Sequence, residues 1–93
     1  MLDLEAAVSA VCCDYMTDLA ELNIVCTHEG LPKAAKIAQN AHAECIRLLT
    51  ALRLGYIYPR ECLELVLKTS QSAKRRCVRL LEKERPPHFP ETP

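Results

Sequence analysis

Residues 59–85 read PRECLELVLKTSQSAKRRCVRLLEKER, and this stretch decides the fold class. Its apolar and small side chains recur at intervals of three and four residues, namely at Leu63, Val66, Leu67, Ser70, Ala73, Cys77, Leu80 and Leu81. This period places side chains on one face of an α-helix. Pro59 suits the first turn of a helix, where its missing N–H has no partner to lose. We therefore predict one long amphipathic helix over 59–85.

Two upstream segments have the same period. In the first, the apolar positions are Leu4, Val8, Val11, Tyr15, Leu19, Leu22 and Cys26, and in the second they are Ala34, Ile37, Ala38, Ala41, Cys45, Leu48, Leu49 and Leu52. Gly30 with Pro32, and Gly55 with Pro59, interrupt the pattern between the segments. The sequence thus predicts an all-α chain with helices at about 3–26, 32–53 and 59–85. These form a single helical domain over 1–85, followed by a proline-rich tail over 86–93.

The lengths of these helices bear on assembly. Helices of about 22 to 27 residues are ~33–40 Å long, which is long for 93 residues. Three such helices alone leave much of their apolar stripes poorly covered. We therefore predict a helical hairpin that dimerises into an elongated bundle, with a compact three-helix monomer as the alternative.

The charge of the chain is divided along its length. Residues 1–32 carry six acids and no Lys or Arg, whereas residues 33–93 carry all twelve bases and six acids. The formal net charge of zero is therefore the sum of −6 for residues 1–32 and +6 for residues 33–93. Such asymmetry points to a polyanion or an acidic partner for the second part.

The sequence has neither a membrane span nor a secretory signal pattern. Its uncharged stretches reach only about eight residues, where a span needs ~20. The first residues are acidic rather than basic, which is unlike a signal peptide. We therefore expect no membrane partner and an intracellular location. In that setting the six cysteines are expected to be reduced thiols that pack as small hydrophobes.

The sequence offers little for catalysis or metal binding. His28, His42 and His88 have no partnered nucleophile at a recognisable spacing, and Gly30 and Gly55 stand alone rather than in a phosphate-binding loop. The cysteine and histidine spacings fit no familiar zinc pattern. We expect a protein that is not an enzyme and uses no metal or cofactor.

Two polar ridges carry the candidate binding residues. On the third helix, Lys68, Ser72, Arg75 and Arg79 advance by four, three and four residues. On the second helix, a mostly basic ridge includes Lys33, Lys36, Asn40 and Arg47. Positive and hydroxylic groups along a rigid rod suit the phosphate backbone of a duplex rather than base edges. The alternative is that both ridges are ordinary solvated helix faces.

Residues 68–83, KTSQSAKRRCVRLLEK, resemble the RNA-binding helix of the nodaviral suppressor of RNA silencing. In the insect-virus members of that family, a Lys and an Arg seven residues apart contact RNA, and Lys68 and Arg75 match them. The likeness covers about residues 31–86. It implies an all-helical homodimer in the host cytoplasm that binds double-stranded RNA without sequence preference and hides it from host Dicer.

The leading functional hypothesis is sequence-independent binding of double-stranded RNA by the second and third helices. Duplex RNA is recognised by its shape, phosphates and 2′-hydroxyls, so an aromatic-poor basic surface suffices. The alternative is a helical protein-interaction module, such as a viral or phage inhibitor of a host protein.

Overall fold

The structure, a computed structural model, describes residues 3–84, which form three α-helices. Helix α1 spans Leu4–His28, α2 spans Pro32–Arg53 and α3 spans Pro59–Glu84. No strand occurs among these residues, so the all-α prediction is confirmed. The predicted bounds of α2 and the start of α3 agree with the structure. The predicted last residue of α3, position 85, and the tail at 86–93 lie outside the described residues.

Helix α1 begins one residue later and ends two residues later than predicted. Asp3 caps it, because its side chain accepts a hydrogen bond from the Ala6 amide at 3.2 Å. At the other end the helix continues until Gly30, whose φ of 74° lies in the left-handed region. There the Gly30 amide bonds to the Thr27 carbonyl, and the Leu31 amide bonds to the Cys26 carbonyl. This is a Schellman ending, which glycine permits.

Helix α2 ends in the same way. Gly55 has a φ of 81°, and its amide donates to the Leu52 carbonyl. The Tyr56 amide donates to the Ala51 carbonyl at 2.9 Å. The turn between α2 and α3 is therefore a hydrogen-bonded structure of defined geometry, and Pro59 then starts α3.

The helices pack as a three-helix bundle in which each helix contacts both others. The bundle is elongated, with extents of 58 × 24 × 17 Å. Nine of the fourteen buried hydrophobic residues in the described part of the chain are Ala or Cys. Such small side chains let the helices approach closely, but they bury little apolar area per residue. The core is therefore thin for the length of the bundle.

One polar side chain is enclosed in this core. Ser70 on α3 is 0 % exposed, and its hydroxyl forms no hydrogen bond with any of the described residues. A buried hydroxyl without a partner loses its bonds to water and gains nothing in return. Ser70 is therefore a local source of instability.

Parts of the predicted apolar stripes remain uncovered by the three helices. On α1, Val8, Cys12, Leu19 and Cys26 are buried, but Leu4 is 56 % and Val11 is 40 % exposed. Val25 on α1 and Val78 on α3 are also about half exposed. The turn after α2 exposes Leu54, Tyr56 and Tyr58. No helix in residues 3–84 is long and apolar enough to cross a membrane.

Candidate nucleic-acid interface

A groove runs between α2 and α3 along one side of the bundle. Its floor contains Ile37 and Ala41 of α2 and Ala73 of α3, and its walls are polar. The polar lining residues are Asn40 and Glu44 from α2, and Lys68, Thr69, Ser72, Arg76, Arg79 and Lys83 from α3. Lys33 lies where the groove meets the α1–α2 turn, beside Leu80. We call this feature the α2–α3 groove.

Five bases line the α2–α3 groove against a single acid. The bases are Lys33, Lys68, Arg76, Arg79 and Lys83, and all are exposed. None of them has a carboxylate within ion-pair distance among the described residues. The acid, Glu44, pairs instead with Arg47 of its own helix. The four bases on α3 extend over roughly 22 Å along the helix axis. Within the part of the chain that the structure describes, the groove is therefore a linear array of bases that form no ion pair.

The structure brings together five of the eight predicted site residues. Lys33, Asn40, Lys68, Ser72 and Arg79 line the α2–α3 groove or its end.

The other three predicted residues lie elsewhere. Lys36 is exposed and lines a depression between α1 and α2, with Asn23 and Thr27. Arg47 forms its ion pair with Glu44 on the outer surface of α2. Arg75 is exposed on α3 but does not line the groove.

Two bases of the groove were not among the predicted site residues. Arg76 and Lys83 follow Ser72 by four and eleven residues, so they share a face of α3 with Arg79. The series 72, 76, 79, 83 has the same four-and-three spacing as the predicted series 68, 72, 75, 79. Around the helix, the series 72, 76, 79, 83 lies nearer to the buried positions Val66, Ala73 and Cys77 than the predicted series does. This proximity to the buried face is the signal that could have favoured it.

The acids of α1 lie apart from this groove. No residue of α1 lines it, and Lys74, on the opposite edge of α3, forms an ion pair with Asp18 of α1 at 3.3 Å. The division of charge along the sequence thus becomes a division in space. The lining of the α2–α3 groove is mostly basic, and α1, which carries acids and no Lys or Arg, lies on the other side of α3.

Five of the six cysteines are buried, and all six are free thiols. Burial raises the pKa of Cys12 to about 12, with Cys62 nearby as the second cause. Burial likewise raises the pKa of Cys45 and of Cys77 to about 11. Since the thiolate is the reactive form, these thiols are poor nucleophiles at neutral pH. Only Cys13 is exposed.

The described residues contain no group of three or more His, Cys, Asp or Glu side chains that could hold a metal ion. Cys26 is buried against Cys77, Ala34 and Ala38, while His28 is exposed.

Comparisons with known proteins found no matching family model, no matching curated protein and no matching solved structure. The function is therefore argued from the residues and geometry above.

Proposed function

We propose that this protein binds double-stranded RNA without sequence preference through the α2–α3 groove. The observation that carries the proposal is the row of five exposed bases along that groove, none of which forms an ion pair with the described residues. A row of fixed cations attracts a polyanion by releasing its condensed counterions. Asn40, Thr69 and Ser72 add neutral hydrogen-bonding groups between the bases.

Several features favour a duplex over a single strand. Among residues 3–84, the groove lining contains no aromatic side chain on which bases could stack, and stacking is the usual means of holding single strands. Four of the five bases also recur along one helix, α3, and such a regular row suits the regular phosphates of a duplex. The 2′-hydroxyls of RNA give Asn40 and Ser72 partners that DNA lacks. The resemblance of residues 68–83 to the nodaviral helix points to the same ligand, although of its two matched residues Lys68 lines the groove and Arg75 lies outside it.

We further propose that the protein acts as a homodimer and that bound RNA is shielded from Dicer. A dimer would present two grooves and so would cover a longer stretch of duplex. Shielding requires only that the protein occupy the RNA surface that the nuclease needs. No catalytic step is required of any residue in the groove.

The proposal is tested by an electrophoretic mobility shift with a blunt duplex RNA of about 20 base pairs. The groove variant Lys68→Ala with Arg76→Ala removes two adjacent bases from the groove. The matched control, Lys36→Ala with Arg53→Ala, removes the same charge from exposed positions outside it. We expect the groove variant to bind at least ~10-fold more weakly and the control to bind within about 3-fold of the wild type.

Equal losses in the two variants would mean that net charge, and not the groove, determines binding. Retention of full affinity by the groove variant would contradict the proposal. Both variants should keep the circular dichroism of the wild type, because substitutions of exposed residues change stability by less than ~0.5 kcal/mol.

A protein-interaction module is the second candidate. The observation that favours it is the exposed turn after α2, where Leu54, Tyr56 and Tyr58 are each at least 66 % exposed. Exposed apolar clusters mark contact sites for other macromolecules. Failure of the wild type to bind duplex RNA at low salt would favour this candidate.

A further inference from the structure

We propose that the side chain of Phe89 docks in an apolar pocket at the α1–α2 turn of its own chain. Residues 85–93 follow the last described residue, Glu84, and Phe89 is their one large apolar side chain. The pocket lies beside the end of α3 from which this segment leaves. The inference goes beyond the RNA proposal and does not depend on it.

The pocket is a small apolar hollow, partly open to solvent, with a volume of about 170 Å³. It is lined by Gly30, Leu31, Pro32, Lys33 and Ala34 from the turn and the start of α2, and by Leu80 of α3. We call it the turn pocket. Ala34 is buried in the core cluster that contains Cys26 and Cys77. Leu31 and Leu80 pack against the same cluster, so an apolar side chain seated in the turn pocket would extend this core.

The volume of the turn pocket fits one aromatic ring. A cavity of about 150 Å³ lined by apolar side chains binds benzene in another protein. The turn pocket, at about 170 Å³, is therefore large enough for a phenyl ring. The chain has a single Phe, at position 89. The hydrophobic effect favours transfer of its ring from water to this lining.

Phe89 is close enough along the chain to reach the turn pocket. Leu80 precedes Glu84 by four residues, so the pocket lies about 6 Å back along the axis of α3. The five residues from Glu84 to Phe89 span up to about 16 Å when extended. Pro86 and Pro87 lack the N–H groups that would continue α3, so the chain can turn back there. Proline also restricts a free chain, which reduces the entropy that is lost on docking.

The charges beside the turn pocket favour the same occupant. Lys33 is exposed and forms no ion pair with the described residues. Glu91 is the one acid in residues 85–93, and it follows Phe89 by two residues. Two residues span about 7 Å, so a seated Phe89 brings Glu91 within reach of the flexible Lys33 side chain. A base and an acid would then meet beside the apolar contact.

The proposal is tested on the full chain by fluorine NMR. Because the chain has one Phe, incorporation of 4-fluorophenylalanine labels position 89 alone. The resonance of a solvent-exposed fluorine changes between H2O and D2O, and burial of the ring reduces that change. We expect a smaller change for the folded protein than for the same protein unfolded in urea. An equal change in the two states would overturn the proposal.

The variant Leu31→Asp directs this measurement at the turn pocket. It places a carboxylate in the apolar lining, so Phe89 should be released and the solvent-dependent change should rise to the unfolded value. The fold should persist, because Leu31 is the N-cap of α2 and makes no side-chain cap, whereas Asp is a favoured N-cap residue. The matched control, Leu54→Asp, makes the same change at the C-cap of α2 and should keep the wild-type value. A reduced change that Leu31→Asp leaves unaltered would show Phe89 to be buried elsewhere and would contradict the proposal.

A second measurement does not require Leu31→Asp to fold. Phe89→Ala should lower the urea midpoint, and His88→Ala, at the adjacent residue, should leave it unchanged. Equal midpoints for Phe89→Ala and the wild type would rule out docking. Burial of the fluorinated ring should also survive dilution from about 200 to about 5 µM, because a tethered segment has an effective concentration in the millimolar range. Release of the ring on dilution would place it in another copy and overturn the assignment to its own chain.

Discussion

At the scale of single residues, Ser70 is the clearest weakness in the core. Its hydroxyl is fully buried between helices and has no hydrogen-bond partner within residues 3–84. Removing it keeps the size of the side chain almost unchanged and removes the desolvation penalty. We expect Ser70→Ala to raise the free energy of unfolding by about 1 kcal/mol, measured by urea denaturation. Ser72→Ala, at a half-buried position in the groove, should change it by less than ~0.5 kcal/mol. A loss of stability in Ser70→Ala would mean that the hydroxyl has a stabilising partner.

The buried thiols predict how stability depends on pH. The unfolded chain loses thiol protons near the ordinary pKa of 9.0, whereas Cys12 and Cys77 have pKa values of about 12 and about 11 when folded. Their contribution to stability is therefore complete below pH 9 and is lost progressively as the pH rises from 9 towards 11 and 12.

We expect urea midpoints to stay level from pH 7.5 to 8.5 and to fall between pH 9 and 10.5. Other groups also titrate there, so the comparison between variants is decisive. Cys77→Ala should show a shallower alkaline fall than the wild type, and Cys13→Ala, at an exposed position, should follow the wild-type curve. Parallel curves for all three proteins would contradict the assignment of the fall to buried thiols.

At the scale of the elements, two glycines determine where α1 and α2 end. A Cβ added at Gly30 would meet nothing within 4 Å, so the cost of a side chain there comes from its positive φ alone. We expect Gly30→Ala to lower the free energy of unfolding by about 1–2 kcal/mol. Gly30→Asn should cost less, because Asn tolerates the left-handed region better than Ala. Thermal denaturation of the two variants measures the difference, and equal losses would contradict the backbone explanation.

Helix positions could be predicted from the sequence because the apolar period and the Gly and Pro breaks are local signals. The apolar stripe of α1 stops at Cys26 and therefore predicts an end of the helix there. The helix itself continues to His28, and the chain turns at Gly30, which adopts a positive φ.

Which residues of α3 line the α2–α3 groove is determined by tertiary structure. The series containing Arg75 and the series containing Arg76 have the same spacing on α3. Which of them lines the groove depends on the side from which α2 approaches, and the helical period alone does not contain that information. For the same reason, the helical period places Lys36 and Asn40 on one polar ridge, whereas in the fold the two residues line different sides of α2.

At the scale of the whole molecule, the bundle separates three kinds of surface. The α2–α3 groove is lined mostly by bases, the edge between α1 and α3 leaves Val25 and Val78 half exposed, and the turn after α2 exposes two tyrosines. A thin core of Ala and Cys holds these surfaces together. We propose that the first of these surfaces binds duplex RNA.

The central claim is that cations of the α2–α3 groove contact the phosphates of duplex RNA. The measurement that tests it most directly is the fluorescence anisotropy of a labelled duplex RNA, titrated with protein from 50 to 300 mM salt. The account predicts a log–log slope of affinity against salt of about −3 or steeper, with similar affinities for unrelated sequences. The slope should become shallower by about one unit for each groove base removed per protomer. A slope near zero, or no binding at 50 mM salt, would contradict the account.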